Sequence, residues 1–542
     1  MVAFTALLLA TLVWVPASAS VPEVVARRPP NVVLILTDDL DVASVAAMPN
    51  VRRLIANQGL TFSNFFATTP LCCPSRASIL RGQYAHNHGV LRNTGDEDAG
   101  FAAFHDQNRE DSTLATWLQA AGYRTALFGK YLNGYTNPTV GRGYVPPGWD
   151  EWGAGIDHRA YEGFGYQLNE NGRVVDYGRG ANDYMTDVLA GQATSFVEAA
   201  ATAGGPFFLY FAPYAPHAPS TPAPRHEGEF ADAQVRRGPA FNEPDVRDKP
   251  RWVRSSPPLS DKQIARLDAD QRQRLRSLQA VDEAVADLVR TLAASGELER
   301  TVILFTSDNG VFLGEHRQPH GKNAPYDPAI HVPLIVRGPG IAPGQSTAAL
   351  ALNIDLAPTI ADLAGIAPAD FVDGRSLAPL LQGETEGSGR QAFLAEGFGG
   401  SDKENGKGGG TPTPPFAALR TADLLYIEYE TGERELYDLR RDPDQLKNLA
   451  KDTDRATFSD LSARLTDLRR CAAADCRQAE DGAPALAAVD RADRPSARAA
   501  DQTKVDSPER RDDARDRNRN RTGDHSKGQA DRRARSNEHV PR

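Results

Sequence analysis

Short runs of nearly continuous apolar residues recur along the chain: Asn31–Thr37, Thr125–Phe128, Phe207–Phe211, Val302–Thr306 and Pro333–Val336. Each is short for a buried helix and lacks polar alternation, so each is expected to be a strand covered on both faces. Between these runs, helical patterns of apolar and polar positions span Pro49–Asn57, Thr113–Ala121, Tyr184–Ala200, Asp261–Ala294 and Leu356–Ala364. The spacing predicts helices with one apolar face. Strands alternating with helices predict an α/β sandwich, with a large, mostly parallel sheet flanked by helices.

Elsewhere the pattern changes. Residues 220–258 are rich in proline and charge with little periodicity, and are expected to form an insertion over the surface. Residues 399–415 combine Gly, Pro and Lys and read as a flexible loop. Phe416–Asp438 contains alternating, turn-bounded segments that predict a small antiparallel sheet, and Leu461–Arg470 predicts a closing helix. From about Glu480 onward Asp, Arg, Ala and Pro dominate with almost no aromatic residue, which predicts a disordered charged tail. At the other end, Ala6–Val15 is a continuous apolar run before the small-residue cleavage site Ala17-Ser18-Ala19. It reads as a secretory signal, although no Lys or Arg precedes the run. The expected organisation is a signal peptide at 1–19, an α/β catalytic domain at 20–385, a C-terminal subdomain with the small sheet at 386–478, and a tail at 479–542.

Composition narrows the class. The chain is 40% hydrophobic and 24% charged, as an ordinary globular protein is. A net charge of −10 argues against nucleic acid or general polyanion binding. After the leader, nothing approaches the run of about 18 apolar residues that a membrane span needs. Of the 4 cysteines, Cys471 and Cys476 bracket a short Ala-rich loop. A secreted protein would oxidise them to a local disulfide; otherwise they are two free thiols.

In an open α/β sheet, ligands bind beyond the carboxyl ends of the strands. Polar residues gather at those ends: Asp38-Asp39, Gly129-Lys130, His217 within Tyr214-Ala-Pro-His-Ala-Pro219, and Asp308-Asn309-Gly310. Asp38, Asp39, Asp308 and Asn309 are hard oxygen donors that suit Ca²⁺ or Mg²⁺ and suit Zn²⁺ poorly. Taken singly, adjacent aspartates also serve as caps or turns, and Asp-Asn-Gly is a common turn.

The most informative segment is Cys72-Cys73-Pro74-Ser75-Arg76, continuing Ala77-Ser78-Ile79-Leu80-Arg81-Gly82. Pro74 and Ser75 suit a helix start, whose N–H groups together with Arg76 could hold an oxyanion against Cys72. A buried Cys pair is also ordinary packing. The motif resembles the signature of the type I sulfatases. The same order of blocks extends through Gly129-Lys130, Pro216-His217, Ser307-Asp308-Asn309-Gly310, Lys322 with Tyr326, Asn353–Thr359 and Glu435–Leu439, covering about residues 30–478. Within the family the chain is most similar to the N-acetylglucosamine-6-sulfatases and heparan endosulfatases, through Cys72–Leu80, His86-Asn87-His88, Gly129–Asn133, Val145–Trp149 and Thr186–Ala190.

This resemblance implies an alkaline-phosphatase-like fold and a secreted enzyme that hydrolyses sulfate monoesters, with 6-O-sulfated N-acetylglucosamine-type sugars of sulfated glycans as substrate. It implies that Cys72 is converted to formylglycine by a formylglycine-generating enzyme. It places one Ca²⁺ or Mg²⁺ between Asp38, Asp39, residue 72, Asp308 and Asn309. Arg76, Lys130 and Lys322 would hold sulfate, and His217 would protonate the leaving oxygen. Many members carry a His two residues after the Lys of the Gly-Lys motif; here that position is Leu132. His86, His88 and Asn133 are candidate substrate-binding residues, the histidines equally readable as loop packing, and His316 is a candidate wall residue. A phosphate or phosphonate ester hydrolase of the same superfamily is the enzymatic alternative. A glycan-binding protein that has lost catalysis is the alternative of another class.

Overall fold

The structure, a computed structural model, describes residues 28–482 except 96, 137, 385–388 and 400–411. The expected signal peptide, most of the 399–415 loop and nearly all of the expected tail lie outside the described residues. The strands are β1 (Asn31–Thr37), β2 (Leu60–Phe62), β3 (Phe65–Phe66), β4 (Arg124–Gly129), β5 (Glu151–Gly155), β6 (Gln167–Glu170), β7 (Arg173–Asp176) and β8 (Phe207–Ala212). They continue with β9 (Thr301–Ser307), β10 (Leu334–Arg337), β11 (Gln345–Thr347), β12 (Ala351–Leu352), β13 (Ala392–Gly397), β14 (Phe416–Thr421), β15 (Leu424–Tyr429) and β16 (Arg434–Asp438).

Ten strands form one sheet in the order β11-β2-β10-β9-β1-β8-β4-β5-β6-β7. Its centre, β9-β1-β8-β4-β5, is parallel throughout. The expected strand β10 is present but pairs antiparallel to β9, and β6 and β7 form an antiparallel hairpin at the far edge. Only the central block therefore follows the βαβ pattern read from the sequence.

The apolar runs are buried on both faces for a visible reason. In β1, Val32, Leu34 and Leu36 pack with the Cys72–Arg81, Leu114–Ala120 and Leu356–Leu363 helices. Val33 and Ile35 point the other way, to the Pro49–Leu54, Met185–Ala203 and Asp261–Ala294 helices. β8 divides identically, with Phe208 and Tyr210 on one side and Phe207, Leu209 and Phe211 on the other. A helix on each face leaves no position where a polar side chain would meet water. The 34-residue Asp261–Ala294 helix is set by Ser260, whose hydroxyl forms a capping box with Gln263.

The antiparallel sheet runs β13-β14-β15-β16. It includes β13, upstream of the segment read as the small sheet. The Arg455–Arg470 helix covers it through Leu461, Leu465 and Leu468, and starts before the expected Leu461 because Asp454 caps it. Residues 220–258 are more than a surface insertion. Val246, Trp252 and Val253 are buried in the core that serves the small sheet, and Lys249 is fully enclosed. Trp252 lies against Tyr326, which ties this segment to the loop carrying Lys322.

Cys471 and Cys476 are disulfide-bonded. The fold also continues past the expected boundary at 478. The Ala474–Asp481 helix buries Glu480, which receives hydrogen bonds from Tyr84 (2.6 Å), Arg375 (2.9 Å) and Arg390 (2.9 Å). Arg390 also donates to Asp355 at 2.8 Å. A buried guanidinium needs its carboxylates, so Glu480 belongs to the folded unit.

Candidate active site

Parallel strands end on the same side of a sheet, and the loops after β9, β1, β8 and β4 supply Asp308-Asn309, Asp38-Asp39, His217 and Lys130 to one edge. Thr37 is in register with Ser307, and Gly129 with Ala212, so these loops begin level with one another. Gly129 has φ 124°, and a Cβ there would lie 1.9 Å from the Ala212 carbonyl oxygen. Only glycine lets β4 turn this closely along β8 to present Lys130. Asp39 adopts a left-handed conformation, φ 62°, at the tight turn after β1. Such strain persists where surrounding contacts hold it. Here Arg274, from the long helix, donates to the Asp39 carbonyl at 2.7 Å.

Cys72 opens its helix directly, two residues before the expected Pro74, and every residue of that helix is buried. The Cys73 N–H is taken by Asn93 (2.8 Å), the Ser75 N–H by the Leu71 carbonyl (3.0 Å), and Pro74 has none. The expected oxyanion cradle of helix N–H groups is therefore largely spent on the fold. Anion binding falls to side chains instead.

Those side chains converge. The Cys72 thiol lies 3.3 Å from Asp38 Oδ1 and 3.9 Å from Asp39 Oδ1. Lys322 Nζ donates to Cys72 Sγ and to Asp39 Oδ1, both at 2.6 Å. Lys130 Nζ donates to Asp38 Oδ2 at 2.6 Å. Asp308 accepts from Arg76 Nε at 2.8 Å and from the backbone of Asp39 (3.2 Å) and Asn309 (2.8 Å). Asn309 Nδ2 donates to Asp39 Oδ1 at 2.6 Å, while its Oδ1 is buried without a hydrogen-bond partner among the described residues. Arg76 Nη1 donates to the Lys130 carbonyl, and Arg76 Nη2 is likewise buried and unpartnered. His217 Nδ1 lies 2.7 Å from the Ala218 carbonyl, which can only accept. Nδ1 therefore carries a hydrogen, and Nε2, 3.6 Å from Asp39 Oδ2, faces the site.

Electrostatics follow from burial plus pairing. Burial pushes the Asp38 carboxyl up, but the ammonium of Lys130, with His217, Arg76 and Lys322, outweighs it and holds Asp38 well below the carboxylate range. Asp39 is lowered in the same way, mainly by Lys322 against its own burial. Burial and the charge of Asp38 raise Asp308 despite Arg76. Burial, then Asp38, pushes the Cys72 thiol well above its usual value. Burial would lower Lys130, but Asp38 raises it well above the usual ammonium value.

Acidic residues that could hold a cation gather at this edge, in a cluster that also includes a sulfur and an imidazole. Asp38, Asp39, Cys72 and His217 each offer a ligand atom, and these atoms lie within 4.8 Å of one another. Three carboxylates gather here, and the orphaned Asn309 Oδ1 is a buried acceptor with nothing among the described residues to accept from.

A matching profile decides the family. The sulfatase family matches residues 30–366, and the family described as N-sulphoglucosamine sulphohydrolase, C-terminal, matches 314–471.

The chain is a sulfatase.

It is a sulfuric ester hydrolase by that membership. This sulfatase is 35% identical over 485 residues to an N-acetylglucosamine-6-sulfatase of Capra hircus, covering 83% of this chain and 85% of that one. An extracellular sulfatase SULF-1 homolog of Drosophila melanogaster is 37% identical over 361 residues, 66% of this chain and 31% of that protein. A solved protein in complex with its substrate D-glucosamine-2-N,6-O-disulfate superposes with a TM-score of 0.68 at 25% identity, covering 84% of this chain and 99% of that one.

The other expected residues do not all join the cluster. His88 is fully buried: its Nε2 lies 3.0 Å from Ser78 Oγ and its Nδ1 accepts from the Val90 N–H. Burial, with Arg81 nearby, lowers it to about 3, which keeps the imidazole neutral between Ser78 and Val90. His86 is half-buried and pairs with distant segments. Its Nδ1 lies 3.0 Å from Glu396 at the end of β13 and its Nε2 3.1 Å from the Cys471 carbonyl. His316 is buried on Glu243 at 2.7 Å and packs at a tilt against Tyr326, away from the cluster. Asn133 is nearer: its Nδ2 reaches the Tyr161 hydroxyl at 3.4 Å, and the Tyr161 ring lies against His217. Leu132 is packed in the apolar core. Arg274 and Tyr161, which the sequence did not single out, and Ser75 and Ser307, named only as parts of their motifs, support the site; Ser75 donates to the Asp308 carbonyl and Ser307 accepts from the Leu40 N–H. No local pattern marks Arg274 or Tyr161, which reach the site from remote points along the chain.

Proposed function

We propose that this sulfatase is secreted and removes 6-O-sulfate from N-acetylglucosamine-type sugars of sulfated glycans, using a formylglycine at position 72 and one bound Ca²⁺ or Mg²⁺. The observation that carries the reading is the convergence on Cys72 of Asp38, Asp39 and Lys322, with Lys130, Asp308 and Arg76 directly behind. The similarity to N-acetylglucosamine-6-sulfatases supports the substrate, and the disulfide supports an oxidising compartment. Among the described residues no helix is long and apolar enough to cross a membrane. A formylglycine-generating enzyme is the partner required during maturation.

Asp38, Asp39, Asp308, Asn309 and residue 72 would hold the cation, which when bound supplies positive charge that lowers the nucleophile's pKa and neutralises sulfate. Formylglycine at position 72, once hydrated, would supply a hydroxyl nucleophile for sulfur and a second hydroxyl that permits release of sulfate. Lys322 and Lys130 flank position 72 and bind sulfate oxygens as charge shifts onto them. Arg76 fixes Asp308 and the Lys130 backbone with two of its nitrogens and keeps Nη2 for sulfate. His217, protonated at Nε2, gives its proton to the leaving sugar oxygen.

Mass spectrometry of the Cys72 peptide from protein made with a converting enzyme tests the nucleophile. We expect formylglycine at 72 and unmodified Cys73, and turnover abolished in Cys72→Ala. Fully active protein with an intact Cys72 thiol would refute the chemistry. A panel of defined sulfated sugars, with a phosphate ester alongside, tests the substrate. Desulfation at the 2-O- or 4-O-position with the 6-O-sulfate untouched would sink the substrate assignment, and faster phosphate ester turnover would favour the phosphohydrolase alternative.

A further inference from the structure

Tyr161 is the aromatic residue that touches both halves of the proposed machinery. It sits in the short His158–Glu162 turn after β5, a strand parallel to β4, so its loop emerges at the same sheet edge as Lys130. Asp157 caps the turn through the Arg159 N–H at 3.0 Å, and Gly163 ends it in a left-handed conformation. The Tyr161 ring is half-buried, with its centroid 4.6 Å from that of His217 and the planes tilted by 50°. The Lys130 ammonium lies 5.2 Å from the same centroid. Tyr214 meets the ring at 5.0 Å edge-on, and Asn133 reaches its hydroxyl.

We infer that Tyr161 is a positioning residue that holds the His217 imidazole against the leaving-group side of the site. Among the described residues the His217 ring has one close hydrogen bond, from Nδ1 to the Ala218 carbonyl, with Asp39 Oδ2 at a longer 3.6 Å from Nε2, so its orientation depends on what packs against its face. The Tyr161 ring supplies that packing. The Lys130 ammonium beside the same ring is held independently by Asp38 Oδ2 at 2.6 Å, so loss of the ring acts on His217 and leaves the sulfate-binding group in place. Tyr214 and Asn133 in turn hold Tyr161, which makes the wall stiff. Orientation of this kind matters because small misplacements of a reacting group cost large factors in rate.

This inference rests on His217 acting as proton donor, and the test separates the two. A sugar sulfate expels an alkoxide that needs a proton; 4-nitrophenyl sulfate expels an anion stable without one. Tyr161→Leu is expected to lower kcat for the 6-O-sulfated sugar by about tenfold to a hundredfold. Its KM for that sugar and its kcat for 4-nitrophenyl sulfate should stay within about threefold of wild type, the aryl activity also reporting that the variant is folded. Tyr161→Phe, which keeps the ring, should restore sugar turnover. His217→Gln should show the same substrate selectivity. Equal loss on both substrates in Tyr161→Leu, a change in KM alone, or a Tyr161→Phe as poor as Leu would overturn the Tyr161 role while a selective His217→Gln left the acid assignment standing. Equal loss on both substrates in His217→Gln would overturn that assignment and the Tyr161 role with it.

Discussion

His86 is expected to act as a pH-dependent clamp on stability, and replacing it with Gln tests that role against a sugar-binding one. Burial alone would lower the imidazole, but the Glu396 carboxylate at 3.0 Å and the Cys471 carbonyl outweigh it and raise it to about 9 from 6.5. Below about pH 6.5 the ring is protonated in both folded and unfolded chains, and the full stabilisation is present. As pH rises toward 9 the unfolded chain releases the proton while the folded one must keep it, so stability falls. Above about 9 the contribution is gone. The interval from 6.5 to about 9, at roughly 1.4 kcal/mol per tenfold change, gives about 3 kcal/mol as an upper value. The side chain is 17% exposed, so screening trims this only modestly. The assay is urea unfolding followed by tryptophan fluorescence from pH 6 to 10, for wild type and His86→Gln, with the difference between the two curves cancelling all other titrations. We expect the wild-type advantage to shrink by about 2–3 kcal/mol across that range, and KM for the sulfated sugar to be unchanged. Parallel stability curves together with a raised KM would refute the clamp and restore a sugar contact.

Three further outcomes follow from the geometry. Elemental analysis of the purified protein is expected to find calcium or magnesium, with chelation abolishing turnover and lowering the unfolding temperature; stoichiometric zinc as the required metal would contradict the oxygen-donor assignment. Chains truncated after 478 and after 482 should differ by about 3 kcal/mol in unfolding free energy, because the shorter one leaves buried Arg390 without Glu480; equal stability would show that Glu480 is dispensable. Gly129→Ala should lose nearly all turnover and about 2 kcal/mol or more of stability, since its Cβ would lie 1.9 Å from the Ala212 oxygen; wild-type kinetics would show that the turn into Lys130 is less constrained than its backbone indicates.

The sequence alone determined the central sheet and the residues at its edge. Long apolar runs such as Asn31–Thr37 and Thr301–Ser307 declare themselves because a strand between two helix layers has no solvent-facing position. Once those strands are parallel, Asp38, Lys130, His217 and Asp308 must meet at one edge, so the site was legible from order along the chain. β2, β3 and β11 were not legible, because strands of two or three residues carry no period and exist through their partners. β5, with its two glycines and one tryptophan, was also missed, and Tyr161 with it. The start of the Cys72 helix was settled by Asn93 capturing the Cys73 N–H. The histidines illustrate the limit most directly. His217 stood out in sequence by its place after a strand, whereas His86 and His88 could be read either as sugar contacts or as loop packing; in the structure Glu396, 310 residues from His86, and Ser78 beside His88 pair with those two rings. A titratable side chain has no fixed role until its partners are placed, because desolvation and nearby charge, which decide its protonation, are properties of the packed chain.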